Sequence, residues 1–222
     1  MKIVKVNLDN EDESKEAITL AVRVLKRGGV VMHPTETCYG LAVDIFNEKA
    51  LEKLYALKKM AKNKPVSVMV GSLEEAEKYA DFGVTCSTAT GSMINPRELA
   101  DKYWPGPLTL VLPRKDSLPV FLNEGVESVG LRCPDCLLCR DLIDGFSGPL
   151  TTTSANLTQW PEVYDVECYL GQLEGEPLRP DLIIDAGKLV KNRPSTIIKF
   201  EKGEMSLMRE GVLWAQIRSE SF

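Results

Sequence analysis

Residues 28–45 read GGVVMHPTETCYGLAVDI. Gly28-Gly29 supplies a stop, Val30 to Met32 is a short apolar run leading into Pro34, and Tyr39 to Ile45 is a second β-prone run. The PTET tetrapeptide, Pro34 to Thr37, then sits in the turn between two strands. Upstream, the cap-rich stretch Asp9 to Ser14 is followed by Ile18, Val22 and Leu25 at helical spacing, which predicts a helix of about four turns. Downstream, Asn47 to Lys59 places Ala50, Leu51, Leu54 and Leu57 on one face, an amphipathic helix that delivers Lys58 and Lys59 to its C-terminal end. Helix, strand, turn, strand and helix in succession point to a layered α/β fold.

The alternation continues to the far end of the chain. Val66 to Val70 reads as a buried strand, Ser72 to Ala80 as a helix opened by a Ser72/Glu75 capping box, and Asp81 to Asn95 as a loop. Leu99 to Trp104 is helical and broken by Pro105-Gly106-Pro107; Leu108 to Leu112 and Val126 to Arg132 are strands. Cys136 to Phe146 and Val166 to Leu173 are helical, while Leu150 to Thr153, Leu182 to Asp185, Thr196 to Phe200 and Met205 to Arg209 are extended. Seven or more strands interleave with about five helices, without a Pro/Gly/Ser-rich linker, so one domain over residues 1–222 is expected.

Composition narrows the function classes. The 222 residues carry 44% hydrophobic and 27% charged side chains, ordinary for a packed globular chain. The N-terminus turns acidic within ten residues, so no ordinary signal peptide is expected. No window approaches the roughly 18 apolar residues of a membrane span, and a cytoplasmic protein is expected. A net charge of −5 argues against general attraction to a nucleic-acid backbone, so any anion site must be local. A single histidine, His33, leaves little scope for a Ser-His-Asp triad or a multi-histidine metal site. No G-x-G-x-x-G or Walker A sequence is present. Chemistry must lean on Lys, Arg, hydroxyls and backbone.

Two segments are rich in hydroxyls: Thr35, Glu36, Thr37 and Tyr39, and Thr151, Thr152, Thr153, Ser154 and Asn156. Hydroxyls and exposed N–H groups at a strand end cradle phosphate or carboxylate, and they equally make an ordinary polar turn. Lys58, Lys59, Lys62 and Lys64 gather around a helix C-terminus, where the macrodipole itself favours cations; a triphosphate would need several of them. Cys133, Cys136 and Cys139 have C-x-x-C-x-x-C spacing, which resembles part of a metal site. A helix there would make the thiols diverge, and only Cys168 offers a fourth ligand, so no metal is expected on the cysteines. Arg132, at a strand end before Pro134, suits a carboxylate or phosphate as a fixed fork.

In order along the chain, GGVVMHPTETCYGLAVD, LYALKKMAKNKPVSVMV, WPGPLTLVLP, VGLRCPD, TTTSAN, RPSTII and LMREG resemble the motif series of the YrdC-like threonylcarbamoyl-AMP synthase family. The resemblance runs from about residue 15 to 212 and is to the short form, with no room for the extra C-terminal domain of the longer one. It implies a twisted open mixed sheet with flanking helices around a concave basic cavity. It also implies an activity: L-threonine, bicarbonate and ATP, with Mg²⁺, give threonylcarbamoyl-AMP and pyrophosphate for tRNA modification at adenosine 37, which brings in tRNA or proteins of that pathway as partners. By position, Thr37, Arg132 and Thr152 match threonine-binding residues. Lys58, Lys64, Ser128, Ser154, Asn156 and Arg209 match or adjoin positions around the nucleotide, with Lys58 and Arg132 as the catalytic pair. The chain departs from the pattern at Met60, where an Arg is usual, at Lys64 for Asn, at Met69 for His, and at Gln159 and Glu162 for Gly and Ser. Other readings stay open: an RNA-binding module without turnover, a paralogue acting on another small amine, or a metal protein using the cysteines.

Overall fold

The computed structural model describes residues 1–88, 91 and 93–219. In chain order its elements are β1 (Lys2–Lys5), α1 (Glu11–Lys26), β2 (Val31–His33), β3 (Gly40–Ala42), α2 (Glu48–Leu57), β4 (Ser67–Met69) and α3 (Leu73–Ala76). Then come β5 (Cys86–Ser87), β6 (Met93–Ile94), α4 (Pro96–Tyr103), β7 (Leu108–Pro113), β8 (Ser128–Arg132), α5 (Leu137–Phe146) and β9 (Leu150–Ser154). The last are α6 (Val166–Gln172), β10 (Leu182–Asp185), β11 (Thr196–Glu201), β12 (Glu204–Arg209) and α7 (Trp214–Ser219).

The helices start where capping chemistry allows. Asn10 accepts from the Asp12 and Glu13 amides and opens α1 with three acidic residues in its first turn, and Gly28, at φ +76, ends the turn that follows. Asn47 caps α2 in the same way through the Ala50 amide. Pro96 occupies the first turn of α4 behind Asn95, so this helix begins three residues before the expected Leu99. In α3 the Ser72 hydroxyl caps the Glu75 amide, but the Glu75 carboxylate turns back to the Gly71 amide and the helix lasts only four residues.

The strands form one mixed sheet in the order β1-β10-β2-β3-β9-β4-β8-β7-β11-β12-β5-β6. Parallel pairs such as β4 with β8 and β7 with β11 sit beside antiparallel pairs such as β3 with β9 and β4 with β9. The expectation of a twisted mixed sheet with flanking helices holds. Four elements lie outside those expected: β1, whose apolar residues are bracketed by lysines, the short α7, and the β5 and β6 strands within the stretch expected to be a loop over 81–95. Residues 89, 90 and 92 of that stretch lie outside the described ones.

Each face of the sheet buries its own core. Leu41, Val68 and Leu131 belong to the larger cluster, which includes side chains of α2, α4 and α6. On the opposite face Val31, Ala42, Met69 and Leu150 pack with Ala17, Ile18 and Leu25 of α1 and Leu138, Leu142 and Ile143 of α5. Truncating fully buried Leu25 to alanine is expected to cost about 2–5 kcal/mol. Two residues from the Met69–Leu150 pair, the same face carries the Ser67–Thr152 pair. There the apolar cover gives way to hydroxyls and a cavity.

Candidate functional site

The cavity has a volume of about 280 Å³, with Ser67, Thr109 and Thr152 among the strand residues that line it. Gly130 gives it depth: a Cβ there would come within 2.7 Å of the Ser67 hydroxyl. Three cations reach it, Lys64, Arg132 and Arg209, against one lining carboxylate, Glu162. A larger hollow of about 770 Å³ lies elsewhere, between Glu48, Asp116, Glu124 and Glu127. Its one cation, Arg114, is occupied by the carbonyls of Leu118, Pro119 and Leu122. That acidic hollow repels anions, so the smaller basic cavity is the candidate site.

Arg132 ends β8 and its side chain is only 8% exposed. Its Nη2 donates to Glu36 Oε1 at 2.6 Å and to the Thr37 hydroxyl at 3.3 Å. Glu36 is held in turn: the Asp135 amide donates to Oε1 at 3.2 Å, and Asn192 Nδ2 donates to the Glu36 carbonyl at 2.9 Å. Arg132 Nε and Glu36 Oε2 are buried without a hydrogen bond. A buried ion pair with unused donors and acceptors is a poor stability device and a good preformed anion site.

Arg209 ends β12. Nε donates to the Ser195 carbonyl at 3.0 Å and Nη2 to the Ser195 hydroxyl at 2.8 Å, and that hydroxyl lies 3.1 Å from Thr109 Oγ1. Burial, the largest cause, pulls the Arg209 guanidinium down from its ordinary value, but an arginine still carries its charge at neutral pH. Gly211 keeps this corner tight: a Cβ there would sit 2.3 Å from the Pro194 carbonyl.

The four lysines of the run separate into three jobs. Lys59 pairs with Glu176 and Lys62 with Glu52. Lys64 faces the cavity, at the start of a segment pinned where the Asn123 side chain bonds both the N–H and the C=O of Val66. Lys58, the C-cap of α2, is buried and does not line the cavity; its ammonium donates to the carbonyls of Ser154 and Asn156. Burial, aided by nearby Lys64, pulls it down to about 8. Asn156 likewise is not among the lining residues: it accepts from the Ser154 hydroxyl and donates to the carbonyls of Leu157 and Trp160. Both residues hold the turn that presents Ser154.

Of the residues singled out in the sequence, Thr37, Lys64, Arg132, Thr152, Thr153, Ser154 and Arg209 therefore meet around one cavity, while Lys58, Asn156 and Ser128 are not among its lining. Ser128 lies at the opposite end of β8 from Arg132, paired with Pro113. Met69 is buried beneath α5 and is not a wall of the cavity either. Glu162 does line it, and its Oε2 is 3.4 Å from the Tyr164 hydroxyl. Ser67, Thr109 and Ser195 went unassigned in the sequence, although Ser67 is the one polar residue in the VSVMV run and Ser195 lies within RPSTII.

No side chain here is set up as a covalent nucleophile. Burial pushes the lining Cys38 thiol up to about 11, so it stays protonated. Burial likewise pulls His33 down to about 4, leaving it neutral, with Nδ1 3.1 Å from the Pro34 carbonyl. The cysteine triplet diverges in part: Cys133 Sγ donates to the Gly71 carbonyl, whereas Cys136 and Cys139 turn toward Pro34. Among the described residues no three His, Cys, Asp or Glu side chains are grouped to hold a metal, and no helix is long and apolar enough to cross a membrane.

Comparison with known proteins shows which family the chain resembles. The Sua5_yciO_yrdC family, described as Telomere recombination, matches residues 23–211. The chain is 34% identical over 213 residues to a putative threonylcarbamoyl-AMP synthase of Methanocaldococcus jannaschii, covering 96% of this chain and 94% of that one. It is 30% identical to the threonylcarbamoyl-AMP synthase of Psychromonas ingrahamii, over 83% of this chain and 92% of the relative. Among solved structures, P. abyssi Sua5 complexed with L-threonine superposes with a TM-score of 0.77 at 27% identity; 95% of this chain is covered, but only 57% of the Sua5 chain.

Proposed function

The chain belongs to the Sua5/YciO/YrdC family, and from that premise we propose that it is a threonylcarbamoyl-AMP synthase, which joins L-threonine, bicarbonate and ATP and releases pyrophosphate. One observation carries the reading at the level of the site: two arginines and a lysine, fixed by protein partners or by a pinned backbone, converge on one hydroxyl-lined cavity. That suits an amino acid's carboxylate and a polyphosphate held side by side.

Arg132 takes the threonine carboxylate, since Glu36 and Thr37 lock its fork in place and leave Nε and Nη1 without protein hydrogen bonds among the described residues. Thr37 and Thr152 offer hydroxyls to the substrate's polar groups. The threonine amine attacks the bicarbonate carbon, a C–O bond breaks and water leaves to give a carbamate; one of its oxygens attacks the α-phosphorus of ATP, the bond to the bridging oxygen breaks, and pyrophosphate leaves. Arg209, Lys64 and Ser154 stabilise the phosphate charge. Catalysis then rests on positioning and preorganised charge, which needs no nucleophilic side chain. Binding sites for drug-sized ligands run about 300–1,000 Å³, so the adenosine extends beyond the enclosed part of this cavity.

Glu162, a hard-oxygen donor in the cavity wall, fits Mg²⁺ carried in on the triphosphate, because Mg²⁺ is usually held by one or two carboxylates together with phosphates. When bound, that ion neutralises phosphate charge, and it relieves the repulsion a lone carboxylate would impose there. The product then serves tRNA modification, with a tRNA or a partner protein receiving the adenylate.

Purified protein with L-threonine, labelled bicarbonate, ATP and Mg²⁺ is expected to yield pyrophosphate and a labelled adenylate. No product, under conditions where a reference synthase works, overturns the reading.

A further inference from the structure

Cys136 and Cys139 lie one helical turn apart at the start of α5. Cys136 is the N-cap residue, with extended backbone at φ −139 and ψ 116, and its side chain makes no capping hydrogen bond. It is half-buried and opens into a surface hollow of about 320 Å³ shared with Lys15, Leu137 and Asp141. Cys139, three residues on, is fully buried. Both thiols reach the same acceptor, the Pro34 carbonyl, at 3.8 and 3.4 Å, and Cys139 Sγ is also 3.4 Å from His33 Nδ1. Cys133 and Cys168 do not join them: one bonds Gly71 and the other is exposed on α6.

We propose that Cys136 and Cys139 form a reactive dithiol, which a low-molecular-weight disulfide converts to an intramolecular disulfide, and that its redox state is felt at the Pro34–Thr37 turn of the cavity. Three geometric facts support this. An accessible thiol at the N-terminus of a ten-residue helix, backed by a buried one at i+3, has the arrangement that makes the first sulfur of a C-x-x-C pair the attacking one. Both sulfurs lie within 3.8 Å of the one Pro34 carbonyl oxygen, which holds them on the same side of the helix start. The chain also links the pair to the cavity on two routes. The thiols donate to Pro34, which begins the turn carrying Glu36 and Thr37, and the Asp135 amide, next to Cys136, donates to Glu36, the partner of Arg132.

The thiols' acidities agree with that order. A hydrogen bond from Cys139, the largest cause, holds Cys136 below the ordinary thiol value, while its bond with Cys136 and then burial hold Cys139 well above it. In the reaction the Cys136 thiolate attacks one sulfur of R–S–S–R, the S–S bond breaks, and R–S⁻ leaves. Cys139 sulfur then attacks the Cys136 sulfur of the mixed disulfide and expels the second R–S⁻. The two cysteine protons end on the two departing thiolates, so the small disulfide is reduced to two thiols while the protein pair is oxidised. Oxidation removes both S–H donors from the Pro34 carbonyl.

The test uses the full chain with Cys168→Ser, which removes the exposed thiol outside this cluster, and oxidised glutathione as the probe. Peptide mass analysis is expected to find a Cys136–Cys139 disulfide without retained glutathione. Adding Cys139→Ser is expected to trap glutathione on Cys136, and Cys136→Ser to give neither product. Glutathione persisting on Cys136 while Cys139 is present, or no modification of either thiol, overturns the dithiol. For the link to the cavity, oxidation is expected to speed hydrogen exchange at the Thr37 and Cys38 amides. It is also expected to raise the KM for threonine by about two- to thirtyfold, the fold-change of a coupling of ordinary size. Dithiothreitol should reverse both effects, and Cys136→Ser should abolish both. Unchanged exchange in the oxidised chain overturns the link. The mass and exchange measurements do not depend on the synthase reading, so failure of that reading leaves them decisive.

Discussion

The two hydroxyl-rich segments have nearly the same composition and use it in opposite ways. In the turn, Thr35 spends its hydroxyl on its own backbone: it accepts from the Thr37 and Cys38 amides at 3.1 and 3.2 Å and donates to the Cys38 carbonyl at 2.6 Å. Only Thr37 is left to meet Arg132. In the strand, position along the chain does the sorting. Thr151 points into the core, where its Oγ1 accepts from the Val43 amide and donates to the Leu41 carbonyl, while Thr152, Thr153 and Ser154 line the cavity. A turn therefore consumes hydroxyls to hold its shape, and a strand divides them between stability and function along its length, with Thr151 in the core and the residues after it at the cavity.

The largest break in that comparison comes from removing the ion that the turn serves. Arg132→Ala takes away the carboxylate fork and leaves Glu36 buried without its partner. The kcat/KM for threonine is expected to fall by about 2–5 kcal/mol in transition-state terms, roughly thirty- to several-thousandfold, and thermal stability is expected to fall with it. Adding Glu36→Gln should recover stability without recovering turnover. Recovery of both would mean that Arg132 only balances Glu36.

The strand segment depends on a buried cation that is not among the cavity's lining residues. Lys58 is held down to about 8 by burial, against an ordinary 10.5. Below pH 8 the lysine is protonated in both states, and the folded state bears the full cost of the buried charge. Between pH 8 and 10.5 the unfolded chain keeps a proton that the folded one has released, so this group's contribution to stability rises with pH. Compared with Lys58→Met by chemical denaturation at pH 8, 9 and 10, the wild type should gain about 2 kcal/mol of relative stability across that range. A flat difference would mean that the Ser154 and Asn156 carbonyls hold the ammonium charged throughout.

Legibility in the sequence follows the same division. Long periodic stretches such as α1, α2 and the strands around Arg132 were readable because burial imposes a period. β1 was hidden by its lysines, and β5 and β6 were hidden because two-residue strands have no period to read. The cations and hydroxyls of the cavity could be listed from ordered motifs, but their jobs could not. Arg132 finds its counter-ion 96 residues away at Glu36, and Lys58 finds its carbonyls across a comparable gap. Such long-range partners decide whether a polar side chain faces the cavity or braces its wall, and no local pattern encodes them.

Two neighbouring threonines sharpen that division at smaller cost. Thr151→Val leaves the Val43 amide and Leu41 carbonyl without that hydroxyl, and is expected to destabilise the fold by about 1–3 kcal/mol with little change in KM. Thr152→Val should leave denaturation nearly unchanged and raise the KM for threonine about three- to tenfold, the size of one lost hydrogen bond. Equal loss of stability in both variants would contradict the assignment of the two side chains to opposite faces.

The smallest expected effect belongs to Thr35, and it tests the other half of the contrast. Thr35→Ala removes one acceptor for two amides and one donor to a carbonyl, all within four residues, at a half-exposed site where water replaces part of what is lost. The expected loss of stability is about 1 kcal/mol. Because those bonds set the direction of Thr37, turnover should fall as well, through a higher KM for threonine with little change in the KM for ATP, whose proposed contacts lie at Arg209, Lys64 and Ser154. Thr35→Ser, which keeps the hydroxyl, should behave as wild type. If Thr35→Ala lowers stability and leaves the KM for threonine unchanged, the turn is held by Pro34 and by the Glu36–Arg132 pair alone, and its hydroxyls contribute to the fold but not to the site.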